Sequence, residues 1–371
     1  MSLPSAVLLS RQALHPSRQL PWVAKSVAAV EYLKQHNYIL CSSTNVQTWE
    51  LLTALGRLYG LELEIYLPCR DEREFHHLSA DTLKQFDLNP QMTRFVPVLS
   101  DSTKAPRKNV WLSRDRCIID RARIILPVSI RSEGKMASMI KEAERCGKTV
   151  CCDFTTPYRY RKSPLSYKIP SGKVNPRLRE LGRTYLFHWT RTFNSAWPTE
   201  RPLDYYRAII ESDTYPRTAY DSLKNIISMQ LVKSTSKHMP ENTPTVSFSH
   251  RPPHEMTALI AWRSRYRMMS FEPYGVGIEK NIARQMNIMP VVYYDKTQPL
   301  GNNCKVPTPG WLAQSRGEKT DWSLEEEYRH LGDLNLSSIP KDRLIFICRT
   351  SREAETISDV SGITTVPFTV E

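Results

Sequence analysis

The chain has 371 residues, 40% of them hydrophobic, and 51 basic side chains against 38 acidic ones give a net charge of +13. That length points to two domains, each with enough apolar residues for its own core. No apolar run reaches the roughly 18 residues that a membrane-spanning helix needs, so a helical membrane protein is excluded.

The first nineteen residues hold one short apolar patch, Ala6 to Leu9, with no basic leader before it. This does not read as a signal peptide, and the expected location is cytoplasmic. From about Leu20 to Phe154 strand and helix patterns alternate. Tyr38 to Cys41 reads as a short apolar strand running into Ser42-Ser43-Thr44-Asn45. Trp49, Leu51, Leu52, Leu55 and Leu58 then mark a helix closed by Gly60. Leu61 to Leu67 and Phe95 to Leu99 are further strands. Ala122 to Ile130 is a nearly continuous apolar run of the kind buried on both faces. A helix follows with Met136, Met139, Ile140 and Ala143 on one face, then a last strand from Lys148 to Phe154. Strands alternating with helices predict a parallel, doubly wound sheet. In such sheets ligands sit beyond the carboxyl ends of the strands, so Ser42, Ser43 and Thr44, with Arg131, Ser132, Gly134 and Lys135 at a helix start, are the candidate phosphate contacts.

Pro157 to Arg183 is strongly basic, with Arg159, Arg161, Lys162, Lys168, Lys173, Arg177, Arg179 and Arg183 against Glu180 alone. It reads as a solvated linker or as a strap that tracks phosphates, and the charge surplus favours nucleic acid as a partner. The eight cysteines form no C-x-x-C pair, and two prolines separate His250 from His254. Neither a disulfide framework nor a metal site is expected.

In the C-terminal half, Pro244 to Asp295 carries the densest signal. Thr245 to Ser249 alternates as a strand, Met256 to Tyr266 has helical spacing, and Tyr274 to Ile278 is a strand with glycines where backbone approaches something closely. A short helix, Ile282 to Met286, leads to a strand from Met289 to Tyr294. Before it, Tyr185 to Thr190 delivers His188 and Thr190 to one face. After it, Gln298 to Thr320 reads as a turn-rich surface loop, and Glu325, Glu327 and Arg329 share a face if that run is extended.

The order His188-Trp189-Thr190, Val246-Ser247-Phe248-Ser249, Tyr274-Gly275-Val276-Gly277-Ile278, Pro290-Val291-Val292-Tyr293 and Glu325-Glu326-Glu327-Tyr328-Arg329 resembles abortive-infection proteins of the AbiGi type and related toxin-like domains over roughly residues 184 to 350. The resemblance implies an α+β ADP-ribosyltransferase-like fold, similar in outline to the DarT toxins that modify DNA, with NAD as substrate. It implies that Glu327 stabilises the ribose cation by bonding its 2-hydroxyl and that Glu325 orients or deprotonates the acceptor. It further implies that His188 holds the ribose, Tyr274 stacks on nicotinamide, Ser247 and Ser249 brace the glutamate, and Thr190 and Gly275 complete the NAD site. Ala122 to Val150 resembles, more faintly, the Rossmann-like SLOG superfamily of nucleotide-binding and DNA-processing proteins.

The expected layout is thus a Rossmann-like nucleotide-sensing domain over residues 1–156, a basic linker over 157–183 and a transferase-like effector over 184–371, with a homo-oligomer left open. One reading is an antiviral or toxin-like effector that transfers ADP-ribose from NAD, or hydrolyses NAD, under nucleotide control. The other is a catalytically silent protein that binds nucleotide or nucleic acid through Arg159, Arg161 and Lys162.

Overall fold

A computed structural model describes residues 2–12, 15–99, 107–159, 167, 169–236, 239, 242–263, 268–295, 309–316 and 322–370. The chain forms two compact units whose boundaries cross the expected ones. The first comprises Met1–Pro164 and Ser195–Pro216, the second Leu165–Asn194 and Arg217–Glu371.

The first unit is α/β. Its strands and helices alternate as β1 (Pro4–Leu9), α1 (Pro21–Gln35), β2 (Ile39–Ser43), α2 (Gln47–Leu58), β3 (Leu63–Cys69), α3 (Glu72–Phe86), β4 (Thr93–Leu99), α4 (Arg107–Arg121), β5 (Ile124–Ser129), α5 (Lys135–Arg145) and β6 (Thr149–Val150). All six strands are parallel, in the order β4-β3-β2-β1-β5-β6. The apolar patch that looked isolated at the N-terminus is β1, a central strand, and every one of its residues is buried. A central parallel strand needs apolar side chains on both faces, which Ala6 to Leu9 supply. Its pairing with β5 slips between Leu8 and Leu9, beside the Leu8↔Pro127 pair. Proline brings no N–H to a ladder, so an irregularity in the strand is the natural accommodation.

The second unit opens within the stretch expected to be linker. There α6 (Arg177–Thr184) buries Leu178 and Leu181 while Arg177, Arg179 and Arg183 stay exposed. An amphipathic helix cannot act as a solvated tether once its apolar stripe has a core to join. β7 (Tyr185–Trp189) follows, and then α7 (Pro202–Glu211) belongs to the first unit, where Leu203, Tyr205, Tyr206 and Ile209 join that unit's core. The remainder is α8 (Ala219–Met229), β8 (Leu231–Val232), β9 (Thr245–Ser249), β10 (Trp262–Arg263), β11 (Met268–Met269), β12 (Gly275–Glu279), α9 (Lys280–Gln285), β13 (Met289–Pro290), β14 (Val292–Asp295), β15 (Ala313–Arg316), β16 (Glu327–Leu331), β17 (Leu334–Asn335), β18 (Leu344–Cys348), α10 (Ser351–Ser361) and β19 (Thr365–Pro367).

Seven of these strands make one mixed sheet, β13-β16-β9-β7-β12-β18-β19. All its neighbours are antiparallel except β18 and β19. One face packs Phe187, Trp189, Ile345 and Ile347 against Leu178 and Leu181 of α6. The other packs Leu186, Val276, Ile278 and Phe346 against residues of α8 and α10. The helix expected from Met256 is instead a 3-10 turn, Pro253–Leu259, that ends before β10. The strand expected from Met289 to Tyr294 is broken: β13 lies in the large sheet, whereas β14 pairs with β15 in a separate two-stranded ribbon. Of the expected Gln298–Thr320 loop, residues 309–316 are described and carry that ribbon's second strand.

The glycines of β12 are explained by the sheet itself. A Cβ on Gly277 would stand 2.5 Å from Ile345 and 2.7 Å from the Phe187 ring. At Gly182 a Cβ would stand 2.7 Å from the Cα of Pro252, a backbone atom that no rotamer change can move. Gly182→Ala is therefore expected to destabilise the protein by about 1–3 kcal/mol despite its gain in helix propensity. Urea denaturation of the two proteins checks this.

Candidate active site

The first unit's expected ligand edge is largely satisfied from within. At the end of β2, Ser42 Oγ bonds Thr53 Oγ1 at 2.9 Å and Ser43 Oγ donates to the Tyr66 carbonyl at 2.6 Å. Thr44 is buried and its hydroxyl accepts from Asn45. The Ser42 and Ser43 hydroxyls tie strand to helix and sheet. The strand order reverses between β1 and β5, and there Gln12, buried to 4%, donates to the carbonyls of Ser10 at 2.8 Å and Ser129 at 3.3 Å. Arg131, Ser132 and Lys135 are exposed around Gly134, which sits at the start of α5 without a side-chain cap. Arg159 is exposed, while Arg161 and Lys162 lie outside the described residues.

The second unit brings the other candidates together. β16 pairs antiparallel with β9, with Glu327 opposite Ser249 and Arg329 opposite Ser247, so the four side chains share a face. Ser247 Oγ donates to Glu327 Oε1 at 2.7 Å. Arg329 forks across the same carboxylate, Nε to Oε1 at 2.9 Å and Nη2 to Oε2 at 2.8 Å. Oε1 thus accepts two bonds and Oε2 one, which leaves acceptor capacity on Oε2. The Glu327 side chain keeps 12% of its surface in solvent, whereas Arg329 keeps 2%. Ser249 acts on the neighbouring residue, its hydroxyl donating to the Glu325 carbonyl at 2.6 Å.

Glu325 does not continue the strand. It ends a 3-10 turn, and Glu326, with φ of 47°, redirects the chain between the two candidate carboxylates. Its carboxylate accepts from Arg263 Nη2 at 3.1 Å. Burial raises the Glu325 pKa, Arg263 opposes the rise, and the charge of Glu327 adds to it. A carboxyl group of raised proton affinity therefore stands within electrostatic reach of the Glu327 carboxylate, an arrangement suited to general acid–base chemistry.

His188 alternates with Phe187 and Trp189 along β7, so its side chain lies on the face opposite to Glu327 and Ser249, edge-on to the Phe248 ring. β7 and β9 share a single register pair, Phe187↔Ser249. Next to it the His188 ring reaches across, with Nδ1 2.9 Å from the Ser247 carbonyl. A carbonyl accepts only from a protonated nitrogen, so Nδ1 carries the hydrogen. Burial pushes the His188 pKa down to about 4, and the nearby Arg191 charge acts in the same direction. At neutral pH the ring is neutral, and Nε2 is left as an acceptor.

Two guanidinium groups that the sequence reading passed over complete the cluster. Arg263 holds Glu325. Arg191 is exposed, and desolvation by the surrounding protein lowers its pKa while Glu325 opposes the fall. Its hydrogen-bond contact is the Met268 sulfur at 3.8 Å. Their only sequence signals were position: Arg191 directly follows the His188–Thr190 triplet, and Arg263 ends an apolar run. The other candidates serve the scaffold. Thr190 donates to the Ala219 carbonyl at 2.9 Å. Gly275 lets the β12 backbone approach β7, since a Cβ there would be 2.8 Å from the His188 carbonyl. The Tyr274 ring is buried against Tyr220, and its hydroxyl donates to Glu353 at 3.0 Å, so it turns into the core and not toward the carboxylates.

No family model, no curated protein and no solved structure matches the chain. The functional argument therefore rests on the geometry.

Two outcomes are expected. Glu327→Ala strands the buried Arg329 charge and should cost about 3–5 kcal/mol, whereas Ser247→Ala, which removes one hydrogen bond, should cost about 1 kcal/mol; chemical denaturation separates them. The pH dependence follows from His188. The unfolded chain takes up its proton near the ordinary 6.5, but the folded chain resists until about 4, so stability falls as the pH drops through that window. Asp333, held down to about 2 by Lys233 and Ser234, adds a further loss at still lower pH. His188→Gln should flatten the limb between pH 6.5 and 4 in thermal melts while leaving the Asp333 limb in place.

Proposed function

We propose that the second unit is an NAD-consuming enzyme that transfers ADP-ribose, or hydrolyses NAD, within an effector of the abortive-infection or toxin type. The observation that carries this reading is the Glu327 carboxylate. It is fixed by Ser247 and Arg329 with spare acceptor capacity on Oε2, beside a second carboxylate of raised pKa. Breaking the nicotinamide–ribose bond builds positive charge on the ribose. A fixed carboxylate that accepts from the 2-hydroxyl stabilises that charge more as it develops. Because Oε1 already accepts from Ser247 and Arg329, Oε2 is the oxygen suited to the hydroxyl.

The neighbours suit the rest of the substrate. Glu325, with its raised proton affinity, is placed to take a proton from the incoming acceptor. Arg191 and Arg263 supply cationic donors for a pyrophosphate. The seven-stranded mixed sheet with its paired serines on β9 supports an ADP-ribosyltransferase-like arrangement. Nucleic acid is the favoured acceptor because α6 turns Arg177, Arg179 and Arg183 outward, and among the described residues no carboxylate is paired with them. The first unit, a parallel Rossmann-like sheet, is the sensing half of this reading, with the exposed Arg131–Lys135 turn as its nucleotide contact.

Incubation with labelled NAD, with and without DNA or RNA, tests the reading. Wild type is expected to release nicotinamide and Glu327→Gln to be at least 100-fold slower, a loss of about 2.7 kcal/mol of barrier stabilisation. Replacing Arg177, Arg179 and Arg183 by serine should abolish the stimulation by nucleic acid and leave basal hydrolysis intact. Wild-type rates in Glu327→Gln, or no turnover by wild type with any acceptor, would overturn it in favour of a silent binding protein.

A further inference from the structure

Arg329 is more than a counter-ion. Its remaining donors leave the sheet for the ribbon: Nη1 donates to the Trp311 carbonyl at 2.6 Å and Nη2 to Gln314 Oε1 at 2.9 Å. Gln314 lies on β15, paired with Tyr293 on β14. The Tyr293 hydroxyl in turn accepts from the Glu327 backbone N–H at 3.2 Å. The ribbon therefore grips Glu327 twice, once by its main chain through Tyr293 and once by its carboxylate through Arg329. The 3-10 turn Gly310–Leu312, immediately before β15, supplies the third contact through Trp311.

We infer that Gln314 and Tyr293 are positioning residues for Glu327, and that the seating of the β14–β15 ribbon sets whether its carboxylate is aligned. This deepens the NAD-consuming reading and, where it speaks of catalysis, rests on it. The physical reason is the rigidity of the fork. A guanidinium is planar, so an acceptor on one nitrogen fixes the direction of the others. With Gln314 and Trp311 in place, Arg329 can present Nε and Nη2 to Glu327 in one orientation. Without the Gln314 oxygen one Nη2 hydrogen is released in a buried site, and the guanidinium is free to turn about its remaining contacts. Glu327 would follow it, because two of its three side-chain bonds come from Arg329. Ser247 alone holds a single oxygen, which leaves rotation of the carboxylate unchecked. Sub-ångström alignment matters for a group that must meet a hydroxyl as charge develops.

The test uses the full chain with Gln314→Leu, Gln314→Glu and Tyr293→Phe. Gln314→Leu removes the acceptor, and Gln314→Glu keeps an oxygen at the same reach. With NAD as substrate, Gln314→Leu is expected to lower kcat at least tenfold with KM within twofold of wild type. Gln314→Glu should recover to within threefold, and Tyr293→Phe, which loses one backbone contact, should fall between. A second readout needs no turnover: the Arg329 Nε–H signal in 15N NMR, assigned by its loss in Arg329→Lys. It should exchange slowly in wild type and Gln314→Glu and at least tenfold faster in Gln314→Leu. An unchanged exchange rate in Gln314→Leu overturns the inference, whatever the NAD assay gives. So does faster exchange with kcat unchanged. If wild type turns over no NAD but exchange accelerates in Gln314→Leu, the ribbon's hold on the pair stands and the NAD reading fails.

Discussion

A guanidinium with 2% of its surface in water cannot be left half-satisfied, because an unpaired buried charge is among the most destabilising things a fold can contain. Arg329 meets that constraint by drawing on two separate parts of the chain: Glu327 two residues away, and the segment that supplies the carbonyl of Trp311 and the amide oxygen of Gln314. Each acceptor is thereby fixed relative to the others. The carboxylate, the ribbon and the edge of the large sheet are positioned as one set, and the serine on the adjacent strand finishes the job. A candidate catalytic group obtains its rigidity from a charge that had to be matched for the protein to fold at all.

That logic was partly legible in the sequence. The spacing of Glu325, Glu327 and Arg329 pointed to a shared face, and Ser247 and Ser249 alternate with apolar residues as a strand requires. What the spacing could not show was the left-handed residue between the carboxylates. Glu326, with its φ of 47°, takes Glu325 off the strand and gives it a different partner. Nor could periodicity reveal Gln314, which lies in a turn-rich stretch with no apolar rhythm, or Arg191, whose tie to the site is the charge of Glu325. Tyr274 illustrates the opposite error: an aromatic residue at a strand end looks like a stacking surface until its hydroxyl is seen donating to a helix-capping glutamate.

The first unit was read well in type and less well in extent. Alternating strand and helix patterns gave the parallel sheet, because buried parallel strands are near-continuous apolar runs and their crossovers are helices. The central strand was missed since six residues carry no pattern of their own; only the partner strands, Ile39–Ser43 and Ile124–Ser129, show what they pair with. The serines after β2 show why composition at a strand end is weak grounds for a ligand. Hydroxyls there serve equally well to close the sheet against its helices, and in this protein they do so.

The path of the chain has a consequence of its own. The second unit contains β7, then loses the chain to the first unit for Ser195–Pro216, then takes it back. No single cut therefore separates the two halves into contiguous pieces, and a fragment starting after residue 216 would lack the strand that lies between β9 and β12 in the middle of the large sheet. During synthesis that strand emerges before both of its ladder partners, β9 and β12, and must wait until Gly275–Glu279 is made. A protein wired this way resists being divided by gene shuffling into its two units. The two have to be inherited, and matured, together.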